Sequence, residues 1–106
     1  MSEMILSEYD IRDFETITVS STAIGFTATK IKPTTGDFKG MTAVEAFFTV
    51  ETAQIRFRCD GTDPTSSVGH LLSSGDSVTI RGKNNVNNFK AIRVSSDATI
   101  QVSYRY

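Results

Sequence analysis

His70 and Cys59 are the residues with the most chemistry to offer. Each is the only one of its type in the chain. A nucleophilic site needs a thiol or hydroxyl beside a base, and a third group to orient that base. Ser66, Ser67, Ser73 and Ser74 stand near in sequence but lie in turn-like stretches. No nucleophile-elbow or related catalytic pattern surrounds any of them. Cys59 falls on the apolar parity of its segment, which suits a small buried residue better than a reactive thiol. His70 reads as a loop residue. One histidine and one cysteine also fall short of the four ligands of a structural zinc site.

Asp60, Asp63 and Asp76 offer oxygen ligands, and Asp60-Gly61-Thr62-Asp63 looks like a piece of a calcium loop. It lacks the alternating carboxylates and the late bidentate Glu that such a loop requires. Capping of a tight turn is the better reading. Asp bonds main-chain N–H groups two residues on, and Gly61 tolerates positive φ. Pro64 fixes its own φ and keeps Asp63 out of the helical region. Asp60, Gly61, Asp63 and Pro64 are therefore structural turn residues. Arg56, Arg58, Lys90, Arg93 and Arg105 suggest a basic stripe, with Phe47 or Tyr104 as a stacking platform for nucleic acid. Against that stand 11 basic and 12 acidic residues, a net charge of −1. No global field draws the chain to nucleic acid or to an anionic membrane. Cross-strand pairing with Glu45 and Glu51 is the expected use of these arginines.

The elements that carry these residues are strands. Ile55, Phe57 and Cys59 alternate with Arg56 and Arg58, the period-two pattern of a half-buried strand. Residues 14–19 put Ile17 and Val19 inward. Residues 23–32 read as a second strand with Ile24, Phe26 and Ala28 in phase; Gly25 marks a bulge or a close backbone approach. Residues 41–52 place Val44, Ala46, Phe48 and Val50 on one side, with Phe47 on the polar side. Thr52-Ala53 then reads as the turn of a hairpin into the Ile55 strand. Residues 66–75 form a loop. Val78 and Ile80 face inward from a strand over residues 76–81, and a turn follows at 82–85. Residues 86–94 read as a strand whose Phe89 and Ile92 break parity, as a bulge near Lys90 would explain. Residues 98–106 alternate cleanly through Ile100, Val102, Tyr104 and Tyr106.

Strands at this spacing, with turn chemistry between them, predict an all-β fold. The form expected is a small antiparallel β-sandwich, jelly-roll-like or a flattened barrel, of about 7–8 strands. A length of 106 residues suits one domain. The expected organisation is an N-terminal arm over residues 1–13 and a single sandwich over residues 14–106. The chain has no apolar run near the ~20 residues that a membrane helix needs, and its N-terminus reads as no signal peptide. A single cysteine excludes an intrachain disulfide. No cofactor or metal is expected.

Two short motifs carry a resemblance: Asp60-Gly61-Thr62-Asp63-Pro64-Thr65 and Phe89-Lys90-Ala91-Ile92-Arg93. They sit in three longer runs, over residues 50–72, 74–82 and 88–104. Together these resemble small β-sandwich accessory proteins encoded among the virion genes of tailed bacteriophages and prophages. The resemblance extends from about Phe14 onward and includes no catalytic motif. It implies a non-enzymatic structural component of a phage-like virion, in head, connector or tail. Such a protein would be made in the host cytoplasm, reside in the virion, and pack as a homo-oligomer against other virion proteins. Candidate interface residues are Met4, Ile5, Leu6, Phe47, Tyr104 and Tyr106. The bland alternatives are a second core layer for Phe47 and a frayed end for Tyr106. The rival function is a small ligand- or carbohydrate-binding β-sandwich module. The absence of Trp and the presence of only three Tyr disfavour the sugar platform that such a module needs.

Overall fold

A computed structural model describes residues 13–106. Met4, Ile5 and Leu6 lie outside the described residues. Among the described residues seven strands make two antiparallel sheets: β1 (Asp13–Val19), β2 (Glu45–Glu51), β3 (Ile55–Arg58), β4 (His70–Leu72), β5 (Ser77–Arg81), β6 (Lys90–Arg93) and β7 (Ala98–Arg105). The larger sheet has the order β1-β7-β2-β5 and the smaller one β4-β3-β6. Two short helices interrupt the strands, α1 (Ala28–Ile31) and α2 (Lys83–Asn88).

The pairings nest. β1 pairs with β7, an isolated bridge joins Ile24 to Ala91 of β6, β2 pairs with β5, and β3 pairs with β4. This is one long antiparallel ribbon rolled up, so that β2 also meets β7 and β3 also meets β6. The result is a jelly roll whose second strand is reduced to a single bridge. Rolling leaves the apolar parity of each strand facing its opposite sheet. Ile17, Ala46, Phe48, Val50, Ile55, Ala91, Ile100, Val102 and Tyr104 are all buried.

The reduced strand is a departure from the expected strand over residues 23–32. Ile24 does exchange both main-chain bonds with Ala91, at 2.8 and 2.9 Å. Pairing stops there because Phe26 turns into the core and stacks flat on Phe89, with ring centroids 4.1 Å apart. Gly25 permits that turn. A Cβ at this position would lie 2.8 Å from the Phe89 carbonyl oxygen, closer than real contacts allow.

Residues 82–94 also depart from expectation. No bulge near Lys90 is needed: Phe89 and Ala91 are the inward pair, Ile92 points the other way and is half-buried, and residues 83–88 form α2, which carries Val86 inward. The Asn-rich sequence has poor helix propensity, and burial of Val86 overrides it. A third correction concerns Thr52-Ala53. β2 and β3 belong to different sheets, so this turn is a corner between layers and not a hairpin. Thr52 pays for the corner with φ 81, a left-handed conformation that β-branched residues rarely take. The fourth is β4, which falls within residues expected to be a loop.

Tyr104 is fully buried and so is a core residue, not an interface residue. Its ring meets Phe26 edge-on at 5.6 Å, and its hydroxyl donates to Glu15 Oε2. Burial first, then the Glu15 carboxylate, hold this phenol far above its ordinary range.

Two stability measurements check this account. Phe89→Ala should cost about 3–5 kcal/mol, the range for a buried phenylalanine, read as a drop in the denaturant midpoint. Tyr104→Phe should cost about 1 kcal/mol for one hydrogen bond and leave the oligomeric state unchanged. A surface role for Tyr104 would give the reverse.

Candidate functional site

Cys59 and His70, the two residues with most chemistry to offer, sit in ordinary structural settings. Cys59 follows β3 and packs, half-buried, against the core. Burial pushes its thiol up from the usual value, and the Asp60 carboxylate beside it adds to the effect. That is the opposite of activation. His70 begins β4, is exposed, and lies with its ring 5.3 Å from that of Phe57. Among the described residues no three His, Cys, Asp or Glu side chains gather to hold a metal ion.

The loop after β3 is held by side chains that the sequence assigns to other work. Asp60 Oδ1 accepts from Thr62 N–H at 3.3 Å and from Arg58 Nε at 3.0 Å. The Arg58 guanidinium keeps this exposed carboxyl below its usual range. Gly61 has φ 85 and Pro64 is buried. Arg56 donates to the carbonyls of Ser66 and Gly69, at 3.1 and 2.9 Å. Asp76 accepts from Ser73 N–H at 2.8 Å. The aspartates Asp60 and Asp76 thus serve turns.

The basic stripe divides between the two outer faces. Arg56, Arg58 and Lys90 lie on the smaller sheet, while Glu45, Glu51 and Arg105 lie on the larger one. Cross-strand pairing of Arg56 or Arg58 with those glutamates is therefore not made, because the expected β2–β3 hairpin does not form. Glu45 is instead buried between Arg81, at 3.3 Å, and Arg105, at 4.0 Å. Glu51 accepts from Gln101 at 3.0 Å. Arg93 pairs with Asp97, whose carboxyl Ser20 and then Arg93 hold below its usual range.

Two surface features remain. An open groove of about 410 Å³ runs beside β6, lined by Ser21, Pro64, Thr65, Ser66, Ile92 and Arg93. Its lining can hydrogen-bond a polar guest, and its hydroxyls, from Ser21, Thr65 and Ser66, have no carboxylate, histidine or cysteine among the lining residues to activate them. The second feature is a row on the outer face of the larger sheet. Phe14, Ser103, Phe47 and Thr79 stand in register across β1, β7, β2 and β5. Phe14 is 54% exposed and Phe47 is half-buried. Next to this row lie Thr16, Gln101, Thr49 and Ser77, also in register. Sequence reasoning picked out Phe47 but missed Phe14. The signal was present, since Phe14 shares the outward parity of Thr16 and Thr18.

Tyr106 lies off this face. Its hydroxyl donates to the Lys30 carbonyl and its ring stacks on Phe38 at 5.3 Å. Burial, then the Asp13 charge, push its phenol up to about 12. The side chain is half-buried and already engaged within its own chain.

Comparison with protein-family models, with curated proteins and with solved structures finds no match to this chain. Among the described residues no helix is long and apolar enough to cross a membrane.

The setting of Cys59 generates a direct test. Its reaction with iodoacetamide at neutral pH should be slower than that of an unfolded control, and denaturant should abolish the difference. A rate faster in the native protein would identify an activated thiol.

Proposed function

We propose that this chain is a non-enzymatic structural component of a phage-like virion, a head, connector or tail accessory protein. It works by packing against copies of itself and against other virion proteins. The observation that carries this reading is the Phe14–Ser103–Phe47–Thr79 row. Apolar rings on a flat, otherwise Thr- and Ser-rich sheet face gain by being covered, as interface cores are. The sequence resemblance points the same way. The jelly-roll architecture adds an analogy at the level of fold, since it recurs in viral capsid proteins. The charges around the loop after β3 are spent on its own turns, which suits a part that assembles rather than one that reacts.

The same row favours one rival. Aromatic rings beside Gln101, Ser103 and Thr16 are also what a sugar-binding face presents, and lectins share the architecture. Saturable glycan-array binding lost in Phe47→Ala would support that rival.

Two measurements test the packing role. Light scattering at micromolar concentration should give a discrete species larger than the 11.6 kDa chain. An antibody to the chain should label purified particles of the phage or prophage that encodes it. A strict monomer at every concentration, with particles free of label, would overturn the proposal.

A further inference from the structure

The margins of the two sheets are not alike. On the smaller sheet, β6 is bridged by Ile24, and Arg93 N–H donates to the Ser20 carbonyl at 3.0 Å. β4 is only three residues long. On the larger sheet, β1 holds Thr27 and Lys30 beside it through the carboxylates of Glu15 and Asp13. β5 is different. It is five residues long and ends the order of its sheet.

The direction of its backbone groups follows from three bonds. Val50 N–H donates to the Asp76 carbonyl at 2.9 Å, Gly75 N–H to the Val50 carbonyl at 2.8 Å, and Gly82 N–H to the Val44 carbonyl at 2.8 Å. Bonding alternates along an antiparallel ladder. Even-numbered residues of β5 therefore bond β2, and the N–H and C=O groups of Ser77, Thr79 and Arg81 point away from it. The Arg81 carbonyl accepts from Asn85 Nδ2 at 2.8 Å. Among the described residues nothing bonds the outward main-chain groups of Ser77 or Thr79. Apart from Arg81 at its end, the strand lacks two usual guards of an exposed edge. It contains no proline, and its inward positions are Val78 and Ile80 rather than a charge.

We propose that β5 pairs with β5 of a second copy of this chain, antiparallel about a two-fold axis at Thr79. The two four-stranded sheets then become one continuous sheet of eight strands. This inference rests on the packing role proposed above and names its contact. Charge selects the orientation. In this register Asp76 of one copy falls opposite Gly82 of the other, between Arg81 and Lys83. A parallel pairing would instead bring like charges together. The Arg81 side chain is 68% exposed, and Lys83 makes no ion pair among the described residues. Each copy presents the same strand, so the contact is self-complementary and closes at two. It also covers Val78, which a lone sheet leaves half-exposed, with Ile80 of the second copy. On the outer face the Phe14–Ser103–Phe47–Thr79 row continues without a break into its symmetry mate.

Sedimentation velocity across micromolar concentrations tests the contact. The wild-type chain should contain a dimer. Thr79→Pro should be monomeric with an unchanged circular dichroism spectrum, because the lost N–H faces away from β2 and an edge strand accepts proline there. Lys83→Glu, on an exposed position, should weaken the dimer several-fold. Thr79→Cys in a Cys59→Ala background should form a disulfide-linked dimer under mild oxidation, since residues paired across the axis come within bridging range. Oligomers that persist in Thr79→Pro and Lys83→Glu, with no crosslink through Thr79→Cys, would overturn the edge contact and leave the packing role to another surface. A wild-type chain that stays monomeric throughout would overturn the edge contact, and it would overturn the packing role as well only if purified particles also carry no label.

Discussion

The flat stack of Phe26 on Phe89 is the contact on which the rest of the structure depends. Both residues come from segments that leave regular strand geometry. Phe26 follows the single bridge at Ile24, and Phe89 ends α2. Their rings fill the space between the sheets together with Phe48, Phe57 and Tyr104. A chain of this size buries only about two-thirds of its unfolded surface. It has no second core to fall back on, so a few large rings must do most of the filling. The smaller sheet contributes few side chains of its own, and the aromatic cluster compensates for that thinness.

The cluster is tied to a polar network. Tyr104 buries its ring and gives its hydroxyl to Glu15, which also accepts from Thr27 N–H and Thr27 Oγ1. A buried phenol without a partner would cost the free energy of a lost hydrogen bond. The partner it finds also positions the segment that carries Phe26. Packing and hydrogen bonding thus specify one arrangement rather than two separate ones, which is what a single native state requires.

Charge is distributed in the same economical way. Arg56 and Arg58 spend their donors on the loop after β3, and Glu45 is enclosed by Arg81 and Arg105. The exposed Arg58–Asp60 pair contributes little stability, whereas the buried Glu45 needs its arginines because an unpaired buried charge is costly. The effect of these contacts is to tie the loop after β3 and the outer face of the larger sheet to their own neighbours. What then distinguishes one surface from another is where apolar rings stand in register and where a strand edge is bare. Both features belong to the larger sheet, and both are the basis of the contact proposed above.

Much of this was legible in the chain. The alternation at Ile55, Phe57 and Cys59, and at Ile100, Val102 and Tyr104, determined strands and their inward faces, because side-chain direction in a strand is a local property with a period of two. Asp60-Gly61 and Asp63-Pro64 determined a turn for an equally local reason. The sequence could not show where a pattern is abandoned. Phe26 continues the parity of Ile24, yet a partner 63 residues later in the chain, Phe89, draws it out of the ladder. Phe89 and Ile92 read as two core residues of one bulged strand, and only the contacts show that Ala91 takes the inward place and that Val86 reaches the core from a short helix. Thr52-Ala53 has the length of a hairpin turn, but a corner between sheets needs no more residues. Tyr104 has the inward parity of Ile100 and Val102, and it is the core, not an interface, that takes its ring. Glu45 has outward parity and is nonetheless buried, because two arginines from neighbouring strands close over it. Strand faces depend on the residues themselves; pairing, layer and enclosure depend on contacts between distant parts of the chain.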